Sequence, residues 1–190
     1  ELPNIKLKKA QNYYPLLSRF FEMKKNNFSD VTLNNKHNLV RILGGTDSPN
    51  VFKCVVRSES LDGGGENEDS LESFIKFAPL VDPIHHMTRS HDADGYEYAL
   101  PSLAKDSDVE RLNIAENASY VDNFFYYLSS SLMQICCFPH ATEYYGSVIG
   151  LMEKFEYNVG PDLPYLIDSP YFHKNNSRRS RTPCSPTQRK

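Results

Sequence analysis

Tryptophan is absent from this 190-residue chain, and cysteine is scarce. The four cysteines, Cys54, Cys136, Cys137 and Cys184, show neither C-x-x-C pairing nor the spacing of a disulfide framework. That usage indicates a reducing compartment. No apolar run approaches the roughly 20 residues that cross a bilayer, and the first residues carry no signal-peptide pattern. The sequence therefore predicts an intracellular protein that does not cross a membrane.

Signatures of several enzyme classes are also missing. The chain contains no G-x-S-x-G nucleophile elbow and no H-E-x-x-H zinc motif. Side chains of metal-ligand type do occur together in one stretch: His85, His86, His91, Asp92 and Asp94. Their spacing matches no known zinc pattern, so we expect polar surface and no metal site there.

The charge is split between a body and a tail. The formal net charge is −3, from 21 Lys and Arg and 24 Asp and Glu. Residues 177–190 carry five basic and no acidic side chains, which leaves 16 basic against 24 acidic residues in the rest of the chain. Because neutralising phosphates needs a basic surface, the acidic body is a poor nucleic-acid binder. Only the tail, 177–190, is expected to attract polyanions, and weakly.

Hydrophobic patterning predicts the first half of the fold. Apolar residues at helical spacing predict a helix over 12–25: Tyr13, Leu16, Leu17, Phe20 and Phe21. Runs of β-forming residues at 38–43 and 51–56 flank a cluster of turn formers and predict a hairpin. An acidic, glycine-containing loop, expected to be mobile and solvated, leads to a third strand at 73–78, which Pro79 ends.

The second half contains one long helix. Residues 79–112 are irregular and are interpreted as an insertion. An apolar stripe predicts a helix over 115–137: Val121, Phe124, Phe125, Leu128, Leu132 and Ile135. Two more strands are predicted at 144–151 and 154–159. The predicted fold class is α+β, an antiparallel sheet of about five strands with the long helix packed on it. Residues 1–37 are predicted to be a helical extension, and 175–190 a disordered basic tail or linker.

Two features could carry chemistry. Gly44 and Gly45 lie at the hairpin tip, where glycine lets backbone N–H groups approach a phosphate; an ordinary turn is the alternative. Lys76 lies between two apolar neighbours on one face of the third strand, Phe74 and Ala78. Such a lysine can hold a phosphate or a carboxylate, or it can extend its ammonium to solvent.

Taken in order, these pieces resemble the small N-terminal lobe of a protein kinase, with its glycine-rich hairpin, lysine-bearing third strand, helix and two further strands. Gly44 through Val51-Phe52-Lys53-Cys54 is similar to the glycine loop and second strand, and Ile75-Lys76 to the end of the V-A-I-K strand. The sequence segment YVDNFFYYLSSSLM, followed by FPHATEYYGS, resembles the corresponding region of serine/threonine kinases of large nucleocytoplasmic DNA viruses. The resemblance covers about residues 38–160.

The resemblance implies a function and a site. Residues 38–174 would form a kinase-like N-lobe with the insertion at 79–112, which binds ATP with Mg²⁺ in the host cytoplasm or the virion. The nucleotide-binding residues would be Lys76, Gly44, Gly45 and Val51. The long helix has no obvious glutamate to pair with Lys76; Glu116 and Asp122, both early in the helix, are the nearest acids and the possible partners. A kinase C-lobe and a protein substrate would be the macromolecular partners.

The chain also departs from the kinase pattern. With Val51 aligned to the motif valine, Thr46 and Pro49 stand at two of the glycine positions; Pro49 has no N–H, and Asp47 repels phosphate. Phe74 replaces the small residue beneath adenine. No H-R-D-x-x-x-x-N and no D-F-G occur, so the catalytic base and the magnesium ligands are missing, and no catalytic residue is assigned in this chain.

Three interpretations stay open from the sequence. The chain, which begins at Glu1 and not at Met, is a piece of a larger kinase; or it is a non-catalytic kinase-like (pseudokinase) scaffold; or it is a viral interaction protein with a basic tail. The tail is expected to be a plain linker, with Thr182-Pro and Ser185-Pro as alternative phosphorylation sites.

Overall fold

A computed structural model describes residues 2–26, 28–33, 35–59, 65–88, 99–103, 110–153 and 155–179. The strands in these ranges are β1 (Leu7–Gln11), β2 (His37–Gly45), β3 (Val51–Glu59), β4 (Glu66–Phe74) and β5 (Ile149–Met152). The α-helices are α1 (Pro83–Thr88), α2 (Ala118–Cys136), α3 (Leu163–Ile167) and α4 (Pro170–Arg179). The predicted α+β class is confirmed. Within the described ranges, every helix is too short or too polar to span a bilayer.

Strands β2, β3 and β4 form an antiparallel meander in chain order. The hairpin predicted from residues 38–43 and 51–56 is confirmed. The prediction that a third strand pairs next to β3 is confirmed. Its predicted position at 73–78 is wrong: β4 covers Glu66–Phe74, which includes most of the acidic segment that was expected to be a loop. Val51 pairs with Phe74 and Glu59 with Glu66, so β4 matches β3 in length. An edge strand tolerates such charge, which also discourages edge-to-edge pairing.

Strands β1 and β5 form a second, two-stranded antiparallel sheet. Leu7 pairs with Met152 and Gln11 with Ile149. A single sheet of about five strands is therefore a wrong prediction: the described strands divide into sheets of three and two. The strand predicted at 144–151 is reduced to Ile149–Met152, and residues 155–159 are not a strand. Strand β1 was not predicted from the sequence. In the structure Lys9 takes a positive φ of 51°, which interrupts the alternation of side chains along the strand.

The helix predicted over 12–25 is wrong. The segment contains a five-residue 3-10 helix, Pro15–Arg19, with a proline at its start. Pro15 cannot donate a backbone hydrogen bond, which disfavours a continuous helix through this point. Tyr14 and Leu17 are buried, whereas Phe20 is exposed, so the helical spacing does not mark a single buried face. Residues 1–37 thus contribute a strand and short 3-10 turns to the protein core.

Two hydrophobic clusters organise the part of the chain that contains both sheets. The first joins Ile5 and Leu7 to Ile42 and Cys54 of the three-stranded sheet. The second is formed by Tyr14, Leu17, Tyr120 and Phe124, with Ile149 packed against it. Among the described residues, the second cluster contains none from β2, β3 or β4. The expectation that the long helix packs on the main sheet is therefore wrong, because its buried face meets the N-terminal segment instead.

Helix α2 is the one long helix of the described ranges, and its prediction over 115–137 is confirmed. The side chain of Asn117 accepts a hydrogen bond from the Ser119 N–H at 3.0 Å, a regular N-cap. The Asn117 amide also donates to the Leu80 carbonyl at 3.0 Å, which fixes the start of the helix to the segment after β4. Cys137 takes the left-handed conformation and ends it.

The chain divides into two compact units: residues 1–80 with 95–155, and residues 81–94 with 156–190. In the second unit, α1, α3 and α4 pack together around Leu166, which is fully buried. Pro164 and Pro170 stand at helix starts, where a missing N–H costs little. Helix α4 extends to Arg179, inside the predicted disordered tail, and residues 180–190 lie outside the described residues.

We predict that two glycine-to-alanine substitutions differ strongly in their effect on stability. A Cβ on Gly150 would lie 2.6 Å from Leu7 Cγ and 2.8 Å from the Lys8 backbone oxygen, whereas one on Gly44 would meet nothing within 4 Å. Gly150→Ala should lower the free energy of unfolding by about 1–3 kcal/mol, because β1 must move away from β5. Gly44→Ala should change it by less than about 1 kcal/mol. Urea titrations measure both; equal losses would contradict the β1–β5 register.

Candidate functional site around Lys76

Lys76 lies two residues beyond β4, beside the turn that joins β2 to β3. The Ile75 N–H donates to the Asn50 carbonyl at 2.8 Å, which ties this segment to the turn. Ile75 and Phe77 pack against the first hydrophobic cluster. Side-chain alternation therefore turns Lys76 to the opposite side, as the sequence predicts, although the residue is past the end of the strand.

The Lys76 ammonium is held by helix α2. Its Nζ lies 2.6 Å from Asp122 Oδ2 and 5.5 Å from the centroid of the Tyr126 ring. Asp122 and Tyr126 are four residues apart and so share one side of the helix. The hydrogen bond to Asp122 raises the pKa of Lys76, desolvation opposes the rise, and the charge of Asp122 adds to it. The site is thus a charged lysine between a carboxylate and an aromatic face.

The two acids considered as partners of the lysine make different contacts. Asp122 contacts Lys76, whereas Glu116 forms an ion pair with Arg19 of the N-terminal segment. Glu116 precedes the helix, so only Asp122 is carried on the helical face that meets residues 75–77. The structure therefore brings together Lys76 and Asp122, and it leaves Glu116 in a separate contact.

The hairpin tip is closed by its own hydrogen bonds. The Thr46 N–H donates to the Val51 carbonyl at 3.0 Å, and the Val51 N–H donates to the Ser48 carbonyl at 3.2 Å. The Ser48 N–H donates to Thr46 Oγ1 at 3.2 Å. Pro49 has no N–H to offer. Three backbone donors that a phosphate cradle could use are therefore occupied within the turn.

Gly44 and Gly45 do not form a flexible tip loop. Both belong to β2, where they pair with Lys53 and Phe52 of β3. Neither has a positive φ, and the turn residue that does is Asn50, at 60°. Asparagine tolerates that conformation better than most residues. The geometry matches an ordinary hairpin more closely than a loop laid over a nucleotide.

A second polar group, which sequence reasoning missed, surrounds His37. Its Nδ1 lies 2.8 Å from Ser58 Oγ, and its Nε2 lies 3.5 Å from Glu143 Oε1. The Tyr145 hydroxyl donates to the other oxygen of Glu143 at 2.9 Å. Ser58, His37 and Glu143 are thus of the residue types that form a hydrolytic triad. Ser58, however, pairs with His37 on one side and Asn67 on the other, so its surroundings are a sheet ladder and not an oxyanion site.

A third group is a network of hydroxyl and amide side chains beside α2. The Tyr144 hydroxyl donates to Ser147 Oγ at 2.8 Å, and the Asn123 amide donates to the same oxygen at 2.9 Å. The Tyr120 hydroxyl donates to the Leu112 carbonyl at 2.8 Å. Burial raises the pKa of Tyr120 and of Tyr144, so both stay neutral hydrogen-bonding groups. Their role is to hold α2 in place.

The histidine-rich stretch offers no further site in the part that is described. His85 and His86 belong to α1, while His91, Asp92 and Asp94 lie outside the described residues. Across the described ranges, no three histidine, cysteine or carboxylate side chains are grouped closely enough to hold a metal ion. Comparisons with protein-family models, with curated proteins and with solved structures gave no match for this chain.

We predict that Lys76 and Asp122 are energetically coupled. Both side chains are about half exposed, so a double-mutant cycle with Lys76→Met and Asp122→Asn should give a coupling of about 0.2–1 kcal/mol in urea unfolding. The coupling should shrink as salt is raised, because salt screens exposed charges. A parallel cycle of Lys76→Met with Glu116→Gln should give none. Equal coupling in the two cycles would contradict the assignment of Asp122.

Proposed function

We propose that this chain is the ATP-binding N-lobe portion of a virus-type serine/threonine protein kinase, incomplete for phosphoryl transfer on its own. The observation that carries the proposal is the ion pair between Lys76 and Asp122. In protein kinases, a lysine of the third strand pairs with a carboxylate on the helix that follows. Here an antiparallel meander leads to a lysine, and the next long helix supplies its carboxylate.

Lys76 has the properties that the role requires. Its ammonium is a compact charge with three donors, and it is exposed enough for a phosphate to approach. Asp122 orients the side chain, and the contact raises the pKa of Lys76, which adds to the ordinary preference of the amine for its charged form. In a working site, Lys76 would contact the phosphates of ATP, and Val51 would lie beside the base at the start of β3.

The remaining parts of a kinase site fit less well or come from elsewhere. Gly44 and Gly45 are paired with β3, so they cover phosphates poorly, and the tip amides are already hydrogen-bonded. Mg²⁺ would need the carboxylate and amide ligands of a catalytic loop and a D-F-G segment, which this sequence lacks. Both the metal and the catalytic base would have to be provided by a kinase C-lobe.

A non-catalytic kinase-like scaffold, or a viral interaction protein, is the second candidate. The closed hairpin tip favours this second candidate, because the N–H groups of Thr46, Ser48 and Val51 all donate hydrogen bonds within the turn. In that case the Lys76–Asp122 pair would be structural, and ATP would not bind. The two candidates differ in one measurable property, nucleotide affinity that depends on Lys76.

Calorimetry with Mg-ATP tests the proposal. We expect weak binding to the isolated chain, with a dissociation constant near the millimolar range, because most of the site is missing. Lys76→Ala should weaken it by about threefold to tenfold. Lys8→Ala is the matched control, since Lys8 is also half exposed and paired with a carboxylate, Glu153. Equal affinity of the wild type and Lys76→Ala would remove Lys76 from the site and favour the scaffold.

A radiolabelled transfer assay tests the second half of the proposal. The chain alone should give no phosphoryl transfer above background at high ATP concentration, because positioning and charge stabilisation need the base and the metal ligands together with the lysine. Joined to a kinase C-lobe that supplies those groups, it should become active, and Lys76→Ala should then lower the rate by orders of magnitude. Robust activity from residues 1–190 alone would overturn the assignment of the catalytic groups.

A further inference from the structure

Helix α2 has a second apolar face that no described residue covers. Five large side chains on it are exposed: Val121, Phe125, Leu128, Leu132 and Ile135. Phe125 retains 65% and Ile135 79% of its surface. None of the five belongs to a hydrophobic cluster of the described residues. Exposed aliphatic and aromatic residues arranged in one line are unusual on a monomer, where they more often occur singly.

The spacing of this face is that of a coiled-coil seam. The five residues follow one another at intervals of four, three, four and three, so they occupy alternating a and d positions over two heptads. At 100° per residue they form a stripe about 80° wide, turned well away from Tyr120 and Tyr127. The stripe, residues 121–135, adjoins the buried face at Phe124 and is centred on the side of the helix that points away from it.

The extent of the stripe is close to what an interface needs. Its five side chains are about half exposed or more, which gives on the order of 500 Å² of apolar surface per copy. Phe20 stacks on Phe124 beside the stripe, with ring centroids 4.7 Å apart, and enlarges the apolar area. A standard interface buries about 800 Å² on each partner, including a polar rim. The stripe thus supplies the core of an interface of ordinary size.

The charges favour a second copy as the occupant. The one charged residue of α2 is Asp122, and Lys76 already neutralises it. Ser131 flanks the stripe and is small enough to let a second helix approach. A copy of the same helix therefore meets no like-charge repulsion, and it carries the matching heptad spacing that knobs-into-holes packing requires.

We infer that the chain self-associates through the stripe 121–135 of α2, which pairs with the same stripe of a second copy. The interface is isologous, as expected for a two-fold dimer. It is independent of the proposed nucleotide site, since the α2 residues that hold Lys76, Asp122 and Tyr126, are not members of the stripe. Failure of the nucleotide experiments would leave this inference standing, and the reverse also holds.

Sedimentation velocity from about 1 µM to about 100 µM tests the inference. The wild type should shift from monomer to dimer across that range. Leu132→Glu should raise the dimer dissociation constant at least about tenfold, because the interface would bury an unpaired charge. Leu43→Glu is the matched control: Leu43 is 49% exposed and Leu132 50%, but Leu43 is in β2. It should dimerise like the wild type.

A second variant covers the case in which Leu132→Glu fails to fold. Ile135→Lys changes the most exposed stripe residue, so it should leave the circular dichroism spectrum unchanged and still weaken the dimer at least about tenfold. A wild type that stays monomeric throughout would overturn the inference and assign the stripe to a different partner. Dimers that survive both stripe variants, or that Leu43→Glu disrupts equally, would also overturn it.

Discussion

The rotation of helix α2 is set mainly by the packing of Tyr120 and Phe124 against Tyr14 and Leu17. This contact fixes the rotation of the helix about its axis, because Tyr14 and Tyr120 are stacked and almost fully buried. Once that face is fixed, the 3.6-residue period decides where every other side chain of the helix lies. Asp122 and Tyr126 then meet the segment after β4, and the stripe 121–135 turns outward. Both proposals therefore rest on the same packing.

The elements that the sequence predicted correctly are those in which local pattern and tertiary environment agree. Strands β2 and β3 combine β-forming residues with strong turn formers, and α2 combines apolar periodicity with an N-cap asparagine. The failures come from tertiary context. The acidic β4 has no strand propensity of its own, and it exists because β3 offers nine residues to pair with. Strand β1 depends similarly on β5, more than a hundred residues away in the chain.

Of the candidate site, the sequence predicted the lysine and the two acids that could pair with it, but not the closed state of the hairpin tip. Motif order pointed to Lys76, and Glu116 and Asp122 were named only as the nearest acids of the following helix. The side-chain alternation around Ile75 and Phe77 places the lysine on the opposite face. Which acid would pair with it depended on the rotation of α2, a tertiary property. The closed tip was equally hidden, since Thr46, a residue ordinary in a turn, accepts one hydrogen bond and donates others there. Sequence shows which donors exist but not which are already engaged.

The strength of the Lys76–Asp122 contact decides whether it can be both a structural pair and a ligand site. A fully buried pair would resist opening, because separating it would leave a charge without a partner in a low dielectric. This pair is half exposed, so it contributes at most about 1 kcal/mol. A phosphate group carries more charge than a carboxylate and presents more acceptor oxygens, so it can share the ammonium without destabilising the fold. Because the pair is exposed, it contributes little to the stability of the fold, and the Lys76 ammonium stays accessible to a ligand. A nucleotide-binding lysine needs both properties.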